Sequence, residues 1–494
     1  MKILSYIIPI SLIFIMSCGN AGNELCNCED DFSDLAIKPV EVDLAQIKEN
    51  GTLRAITSYS STSYFLYRGQ PMGYEYELLK RLADHLNLDL KIIIANDLDS
   101  MLAALNRGEA DIIAHGLTIT SSRKEKVDFT EPHLTTRQVL VQRKPENWRQ
   151  MKLHNIEAAM IRSPLDLIGK EVHVRTATAY YDRLININEE IGDEINITPI
   201  EGNLTTDEII RKVADGEIKY TVSDKNIASV NQTYYPDLDI DTELSLPTRI
   251  AWAVRKTSPE LLKNINEWIV DIKANPDYYA IYNRYFKNKK AVKRRVKSEF
   301  YSKAGGRISR FDELIQQHSA ELGWDWRLLA SQIYQESRFQ PKAESWAGAK
   351  GLMQVLPTTA KDYNITNLND PEKSLIAGVS YLKYLQEKWA VIPDSVQRIK
   401  FMLASYNVGP AHVDDARRLT EKYGKDPDVY DDNVEEYLLL KSKPTYYRDE
   451  VVKYGYCRGR EPFQYVRQIF ERYDHYEKFV QDKDDEHQLA LKDA

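Results

Sequence analysis

The sequence predicts an α/β part followed by a mainly α part, joined by a short basic run. Three observations carry that division. From about Lys48 to Phe286, short β-branched runs alternate with amphipathic helical stretches, the pattern of α/β structure with mostly parallel pairing. Residues 287–297 (KNKKAVKRRVK) then carry seven Lys or Arg and no acid. Beyond Gly305-Gly306 the periodicity is helical throughout and no β-rich run appears. A length of 494 residues fits two or three domains, and 43% hydrophobic with 28% charged residues fits packed soluble cores. That excludes a polytopic membrane protein and a wholly disordered chain. The net charge of −8, from 66 basic and 74 acidic residues, gives no nucleic-acid footprint. Tyrosine (31) outnumbers phenylalanine (12). A Tyr can stack on a sugar face while its hydroxyl stays wet, but most of these read as polar surface aromatics.

The first element is a targeting segment. Residues 3–17 form one apolar run after Lys2, too short to span a bilayer and placed like a signal-peptide core. It ends in Ile15-Met16-Ser17-Cys18, which resembles a bacterial lipobox, although Met16 departs from the usual small or apolar choice. On this reading residues 1–17 are removed and Cys18 takes lipid, so the anchor is acyl chains rather than a helix. Ordinary cleavage with a free secreted product is the alternative. Gly19 and Asn20 lack the aspartate that retains some lipoproteins at the inner membrane, so the expectation is an outer-membrane anchor on the periplasmic face. Residues 18–45 read as a flexible tether; Cys26 and Cys28 within it are a poor disulfide and half a metal site at most. Nine scattered histidines without metal-ligand spacing lead to the expectation of no metal and no cofactor.

Next comes the α/β part, residues 46–286, with a second lobe at about 145–248. Thr52–Ile56 reads as a strand, and Tyr74–Asn87 as a helix with Leu78, Leu79, Leu82 and Leu86 at helical spacing. Leu90–Ala95, Leu98–Arg107 and Asp111–Ala114 continue as strand, helix and strand. The style repeats over Glu171–Arg175, Tyr180–Glu190, Ile195–Pro199, Thr206–Gly216 and Tyr220–Ser223. Residues 287–304 read as a solvated basic linker, with attraction to anionic lipid or wall polymer as the sharper alternative. In residues 305–480, helices are expected over Ile308–Leu322, Trp326–Glu336, Thr358–Tyr363, Leu375–Trp389, Ile399–Tyr406 and Pro462–Phe479. Residues 481–494 read as a frayed tail.

Within the helical part, Leu329, Ile333 and Glu336 share one helix face. A carboxyl at the end of an apolar stripe is partly desolvated, which raises its pKa and suits it to act as a general acid. Pro341 forbids continuation of the helix, so Glu336 stands at the mouth of a loop. A Glu at a helix end is by itself far more often a solvated or capping residue. The run Glu336-Ser337-x-Phe339-x-Pro341-x-Ala343-x-Ser345-x-x-Gly348-Ala349-x-Gly351-Leu352-Met353-Gln354, however, resembles the motif of soluble lytic transglycosylases, lysozyme-like enzymes of the cell wall. Ala404-Ser405-Tyr406-Asn407-Val408-Gly409 resembles their downstream A-x-Y-N-x-G segment, and Tyr465-Val466 their closing Tyr-Val element.

That resemblance implies a lysozyme-like helical catalytic domain acting on peptidoglycan glycan strands, at the bond between N-acetylmuramic acid (MurNAc) and N-acetylglucosamine (GlcNAc). Glu336 would be the sole acid and base, closing a 1,6-anhydro ring instead of admitting water. Ser345, Met353, Gln354, Tyr406, Asn407 and Tyr465 would line the saccharide cleft or orient the acetamide. A second carboxylate across the cleft would instead favour a hydrolytic muramidase.

The α/β part has its own resemblance. Leu53-Arg54-Ala55, Gly73-Tyr74-Glu75-Tyr76-Glu77-Leu78, Gly108-x-Ala110-Asp111, Leu117-Thr118-Ile119-Thr120-x-x-Arg123 and Val127-Asp128-Phe129-Thr130-x-Pro132 together look like family-3 periplasmic solute-binding proteins. The family implies a two-lobed, periplasmic-binding-protein-like domain. From residue chemistry, Arg123 follows a Thr-rich loop where its guanidinium can clamp a carboxylate bidentately, or form a surface ion pair. By the resemblance, Arg123 and Thr118 would hold the carboxylate of an amino acid or muropeptide-derived peptide. Tyr64 would cover it as an aromatic wall, Thr178 would complete the site from the second lobe, and Asp224 would take the ligand's ammonium. Arg175-Thr176-Ala177-Thr178 departs from the Gly/Ser-rich form frequent at that place.

The expected whole is a lipid-anchored lytic transglycosylase whose first domain binds a wall-derived amino acid or peptide and regulates the second. The other readings are a muramidase, and a non-catalytic binding lipoprotein that grips glycan.

Overall fold

Strand residues alternate between two cores in the first lobe. Leu53 and Ala55 of Thr52–Thr57 pack with Leu78, Leu82, Ile112 and Trp252 on one face. Ile56 packs with Met101, Leu105 and Ile113 on the other, so the sheet is covered on both sides, as parallel sheets require. The computed structural model describes residues 38–95, 97–200, 204–303 and 306–480. The signal-peptide segment, Cys18 and its expected lipid, Cys26, Cys28 and the tail 481–494 lie outside the described residues.

The first sheet has the order Asp89–Ile94, Thr52–Thr57, Ile112–Thr118, Thr248–Val254, Asp128–Phe129, with Leu134–Thr136 also pairing Thr248–Val254. Thr52–Thr57 is parallel to both of its neighbours, while Thr248–Val254 returns antiparallel. Between Thr136 and Thr248 the chain builds a second sheet, ordered Asn196–Ile200, Glu171–Arg175, Tyr220–Asp224, Gln138–Arg143, Leu238–Asp239. Gln138–Arg143 pairs antiparallel with Tyr220–Asp224, so the second lobe includes a strand ahead of its expected start near 145. The lobes are tied together by Asp207, which accepts from the Ser61 backbone N–H at 2.7 Å, the Ser61 hydroxyl at 2.8 Å and the Asn231 amide at 2.7 Å.

Helix ends follow local chemistry. Tyr74–Leu86 buries Leu78, Leu79, Leu82 and Leu86, as its periodicity predicts, and stops at Asn87 in the left-handed region. Thr205 and Glu208 form a capping box at the start of Thr206–Asp215.

The basic run is helical, and of its seven basic side chains all but Arg295 stay exposed. Lys289–Val296 is a helix started by the Asn288 side chain, with Val292 and Arg295 buried. The Arg295 guanidinium lies 5.6 Å from the ring centre of Phe65 and 5.3 Å from that of Tyr285. Burial of Val292 and Arg295 suffices once aromatic rings are there to receive the arginine stem. The chain then runs along Phe65–Tyr67, with Ser302 N–H donating to Leu66 C=O at 3.0 Å and Arg68 N–H to Phe300 C=O at 2.9 Å. Lys303 reaches back to Asp207 (3.5 Å) and to the Tyr59 carbonyl (3.3 Å).

The remainder is helical around one core that includes Leu329, Ile333, Leu375, Leu382, Phe401 and Ile469. Its principal helices are Asp312–Ala320, Trp326–Ser337, Pro357–Asp362, Pro371–Lys388, Ser395–Val408 and Arg460–Phe479. Pro410–Lys422, with proline in its first turn, is a further helix that periodicity had not marked. The last helix, Arg460–Phe479, packs on Trp326–Ser337 and Ser395–Val408 and also touches the first lobe. Tyr476 donates to the Gly69 carbonyl at 2.8 Å, Phe479 stacks on Tyr59 with ring centres 3.9 Å apart, and Arg467 pairs with Asp89 at 2.6 Å. No helix among the described residues is long and apolar enough to cross a membrane.

Candidate active site

Glu336 occupies the last turn of Trp326–Ser337, whose apolar face buries Leu329 and Ile333 completely. The helix ends because Arg338 and Phe339 both take positive φ (51° and 57°), turning the chain away and leaving the carboxyl half-buried at the bottom of a cleft of about 610 Å³. Burial pushes the Glu336 carboxyl up to about 8; the neighbouring Glu461 adds to this, and the Tyr465 hydrogen bond opposes it. The group is therefore protonated near neutrality, as a general acid must be.

Tyr465, in the second turn of Arg460–Phe479, donates its hydroxyl hydrogen bond to Glu336 Oε1, and Gln332 Nε2 donates in turn to the Tyr465 oxygen at 3.3 Å. Gln332 and Glu336 are one helical turn apart, so acid and support share a face. On another side stands Tyr406, held by donating to the Met353 carbonyl at 2.7 Å. Asn407, Gln335, Arg458, Glu461 and Gln464 line the cleft with Glu336.

The loop after Trp326–Ser337 is a tight hairpin, with Glu344 paired to Lys350 and Lys350 to Val355. Ser345 accepts from Ala349 N–H at 3.0 Å and closes its turn. Gln354 donates to the carbonyls of Ala343 (2.9 Å) and Gly351 (3.0 Å) across its base. Gly351 is required here: φ is +83° and an added Cβ would stand 2.0 Å from the Leu368 carbonyl oxygen. The hairpin is fastened to the acid's own helix by the Ser337 hydroxyl, which donates to Leu352 C=O at 2.8 Å.

A second cavity, about 510 Å³, opens between the two α/β lobes and is lined by Thr118, Arg123, Arg175, Thr178, Tyr180 and Asp224 among others. Arg123 is fixed by donating to the Thr118 carbonyl at 3.0 Å. Asp224 is buried at the end of its strand; one carboxyl oxygen accepts from Tyr180 at 3.1 Å, and the other has no hydrogen-bond partner among the described residues. Burial raises Asp224 to about 7, against the Tyr180 hydrogen bond and the Arg123 charge. Thr178 spends its hydroxyl on capping Ala179–Ile191, accepting from Tyr181 N–H at 3.3 Å and donating to Arg175 C=O at 2.8 Å.

Comparison with known proteins agrees with this division. The model for bacterial extracellular solute-binding proteins, family 3, matches residues 53–288, and that for the transglycosylase SLT domain matches 313–429. A membrane-bound lytic murein transglycosylase F of Desulfosudis oleivorans is 36% identical over 431 residues, 87% of this chain and 91% of the relative. One from Stutzerimonas stutzeri is 34% identical over 448 residues, covering 89% and 87%. The chain belongs to the lytic murein transglycosylase F family. Among solved structures, a mutant of ArgBP from T. maritima is 25% identical with a TM-score of 0.42, covering 50% of this chain and 99% of that one.

For a lytic transglycosylase F, two expected site residues fall elsewhere. Tyr64 is not a wall of the inter-lobe cavity. It is fully buried beneath the last helix, its ring centre 5.3 Å from that of His475 and 5.9 Å from that of Phe479, because the 58–64 turn faces the helical domain. Met353 does not present its side chain to the cleft either; the side chain is fully buried against Gly378, where the absence of a Cβ makes room, and only its carbonyl serves the site. Ser345 and Gln354 act on the hairpin's own backbone. Sequence reading missed Tyr180, which donates to the Asp224 carboxyl, and Glu461, which shares the cleft with Glu336. The spacing of Glu461 and Tyr465, one helical turn apart, is the signal that could have found the latter.

Proposed function

We propose that this lytic transglycosylase cuts the MurNAc–GlcNAc bond of peptidoglycan without water, leaving 1,6-anhydro-MurNAc ends. Protonated Glu336 gives its proton to the bridging oxygen as the C1–O bond breaks, and the MurNAc acetamido oxygen shares the positive charge at C1. The resulting carboxylate then takes the proton of the same sugar's C6 hydroxyl. O6 bonds to C1, the ring closes and Glu336 regains its proton, so no water is consumed. The observation that carries this reading is a single carboxyl with its pKa near 8 and a tyrosine hydroxyl directed at it. A hydrolytic route needs a second carboxylate to activate water from the other face of the sugar. Glu461 is the other carboxylate lining the cleft among the described residues, and it lies on the helix that supplies Tyr465. Mass spectrometry of digested peptidoglycan tests the reading. Anhydro ends from the parent and from Glu461→Gln, with none from Glu336→Gln, support it; reducing ends that vanish with Glu461→Gln make the enzyme a muramidase.

The α/β domain is proposed to bind an amino acid or wall-derived peptide, with Arg123 and the Thr118 region on its carboxylate and Asp224 on its ammonium. A buried Asp224 carboxyl oxygen with no hydrogen-bond partner among the described residues, in a cavity that Arg123 also lines, supports that use. Regulation of catalysis by this ligand is part of the proposal. Its support is the last helix, which touches both Glu336 and the first lobe. Unchanged turnover across a titration in which binding is demonstrated would overturn it. The N-terminal segment is proposed to anchor the protein through lipid on Cys18 to the periplasmic face of the outer membrane. Cys18→Ala is then expected to move it from the outer-membrane to the soluble fraction.

A further inference from the structure

Two arginines on the wall of the cleft have no partner. Arg458 and Arg460 line the cleft with Glu336, are exposed to solvent, and their guanidinium groups make no hydrogen bond or ion pair with a described residue. Glu461 lines the same wall and pairs with neither. Other groups around them are committed: Gln335 donates to Gln468 at 3.0 Å and accepts from Arg472 at 3.2 Å, and Tyr465 donates to Glu336. Arg467, farther along the same helix, has Asp89.

The backbone beneath the pair is held by a buried charge cluster that the cleavage step does not use. Lys441 and Asp415 are both fully buried, and Lys441 donates to the Asp415 carboxylate at 2.7 Å. The same carboxylate accepts from the backbone N–H groups of Lys453 (2.8 Å) and Tyr454 (2.9 Å), and Lys441 Nζ lies 3.0 Å from His412 Nδ1. The Lys441 carbonyl accepts from Cys457 N–H at 3.4 Å. At Gly459, between the two arginines, an added Cβ would stand 1.8 Å from the Leu438 carbonyl oxygen, so this backbone is pressed against 438–439. A buried ion pair is a costly source of stability, and fixing one arrangement of the chain is its better attested use. Here the chain so fixed runs into Arg458-Gly459-Arg460, and two guanidinium groups are presented from a backbone with little freedom.

Their charge stands beside the chemistry rather than on it. A guanidinium close to Glu336 would pull its carboxyl down, yet burial, Tyr465 and Glu461 are what set that group, and neither arginine is among the causes. The forked donors of arginine match a carboxylate, so the pair suits an anionic group some way out from the bond being cut. GlcNAc offers none. MurNAc offers them on one arm: the lactyl group at O3, whose carboxyl carries the peptide stem, and the free carboxylates of that stem, several bonds away from C1.

We propose that Arg458 and Arg460 form a carboxylate-binding site for the peptide stems of MurNAc, so that the cleft reads the stem while Glu336 acts on the sugar. The proposal rests on the glycan-cleaving reading and adds which strands are favoured: those with their stems still attached.

The test uses soluble, un-crosslinked peptidoglycan strands in three forms: with stems, with the stem carboxylates amidated, and with the stems removed by an amidase, which leaves the lactyl carboxylate free. Initial rates with the full chain give kcat and KM on each. The parent is expected to favour the stem-bearing strands over the other two in kcat/KM. Replacing both residues, Arg458→Gln with Arg460→Gln, is expected to cut that preference about tenfold and to do so through KM, since a contact away from the reacting atoms serves ground and transition state alike. Arg458→Lys with Arg460→Lys, which keeps the charge and loses the fork, is expected to retain part of it. No preference in the parent, or an unchanged one in the glutamine variant, overturns the site, and so does a loss shared equally by all three substrates. A loss confined to stem-free strands assigns the arginines to the lactyl carboxylate and overturns the stem. Anhydro ends released from stem-free strands keep the glycan-cleaving reading standing where the site fails; no cleavage of any strand by the parent overturns both.

Discussion

The Tyr465 hydroxyl donates a hydrogen bond to the Glu336 carboxyl, although 129 residues separate the two in sequence. That one bond fixes the rotamer of the acid, joins the catalytic helix to the last helix, and draws the acid's pKa down against the stronger opposing effect of burial. The balance leaves a carboxyl that is protonated at neutrality, as the proposed role of general acid requires.

Activity is expected to fall as pH rises through about 8, where Glu336 loses its proton. Stability follows the same group. The folded carboxyl titrates above its ordinary value, so the folded state binds more protons than the unfolded state between about pH 4.5 and 8, and its stability falls over that window. Glu336→Gln removes this dependence. Melting curves of parent and variant should nearly coincide at pH 5 and separate at pH 9, with the glutamine variant higher by roughly a few degrees. A parallel pair of curves at the two pH values would contradict the assignment.

Tyr465→Phe removes the interaction that lowers the Glu336 pKa, so the alkaline limb of the pH–rate profile should move upward. With the carboxyl no longer oriented, kcat should drop roughly ten- to hundredfold while the protein stays folded. A drop with no displacement of the limb would mean that the tyrosine supports the fold alone.

In the cavity between the α/β lobes, burial raises Asp224 to about 7, and pairing with an ammonium needs its ionised form. Calorimetric titration with a panel of L-α-amino acids should show affinity rising with pH up to about 7 and levelling above it. Asp224→Asn should abolish both the binding and the dependence.

Gly351→Ala places a Cβ 2.0 Å from the Leu368 carbonyl oxygen at a positive φ. The expected cost is about 3 kcal/mol, read as a lower melting temperature, with loss of activity as the hairpin below Tyr406 shifts.

Features set by local sequence were legible. Leu329, Ile333 and Glu336 share a helix face by spacing alone, and the Leu78–Leu86 stripe is buried as its period requires. What failed depended on distant partners. Tyr64 is expected as the aromatic wall of the ligand site, but His475 and Phe479, some four hundred residues later, cover it instead. Met353 faces inward because Gly378 lacks a side chain. The basic run folds because Phe65 and Tyr285 accept Arg295, which its own charge pattern cannot reveal. Glu336 needed one helix; its pKa needed also the last helix, which brings Tyr465 and Glu461.

The helix Arg460–Phe479 has twenty residues and so spans about 30 Å. Counted by sequence it belongs to the second domain, yet its far end forms part of the first domain's surface. The two halves are therefore poor interchangeable modules. A chimera that joined this half to another relative's α/β half would keep these contacts only if that half presented a carbonyl and a ring where the Gly69 carbonyl and the Tyr59 ring receive Tyr476 and Phe479 here. Inheritance of the pair has to be joint, with substitutions around residues 59–69 matched by others around 475–479, even if the intervening joint varies freely.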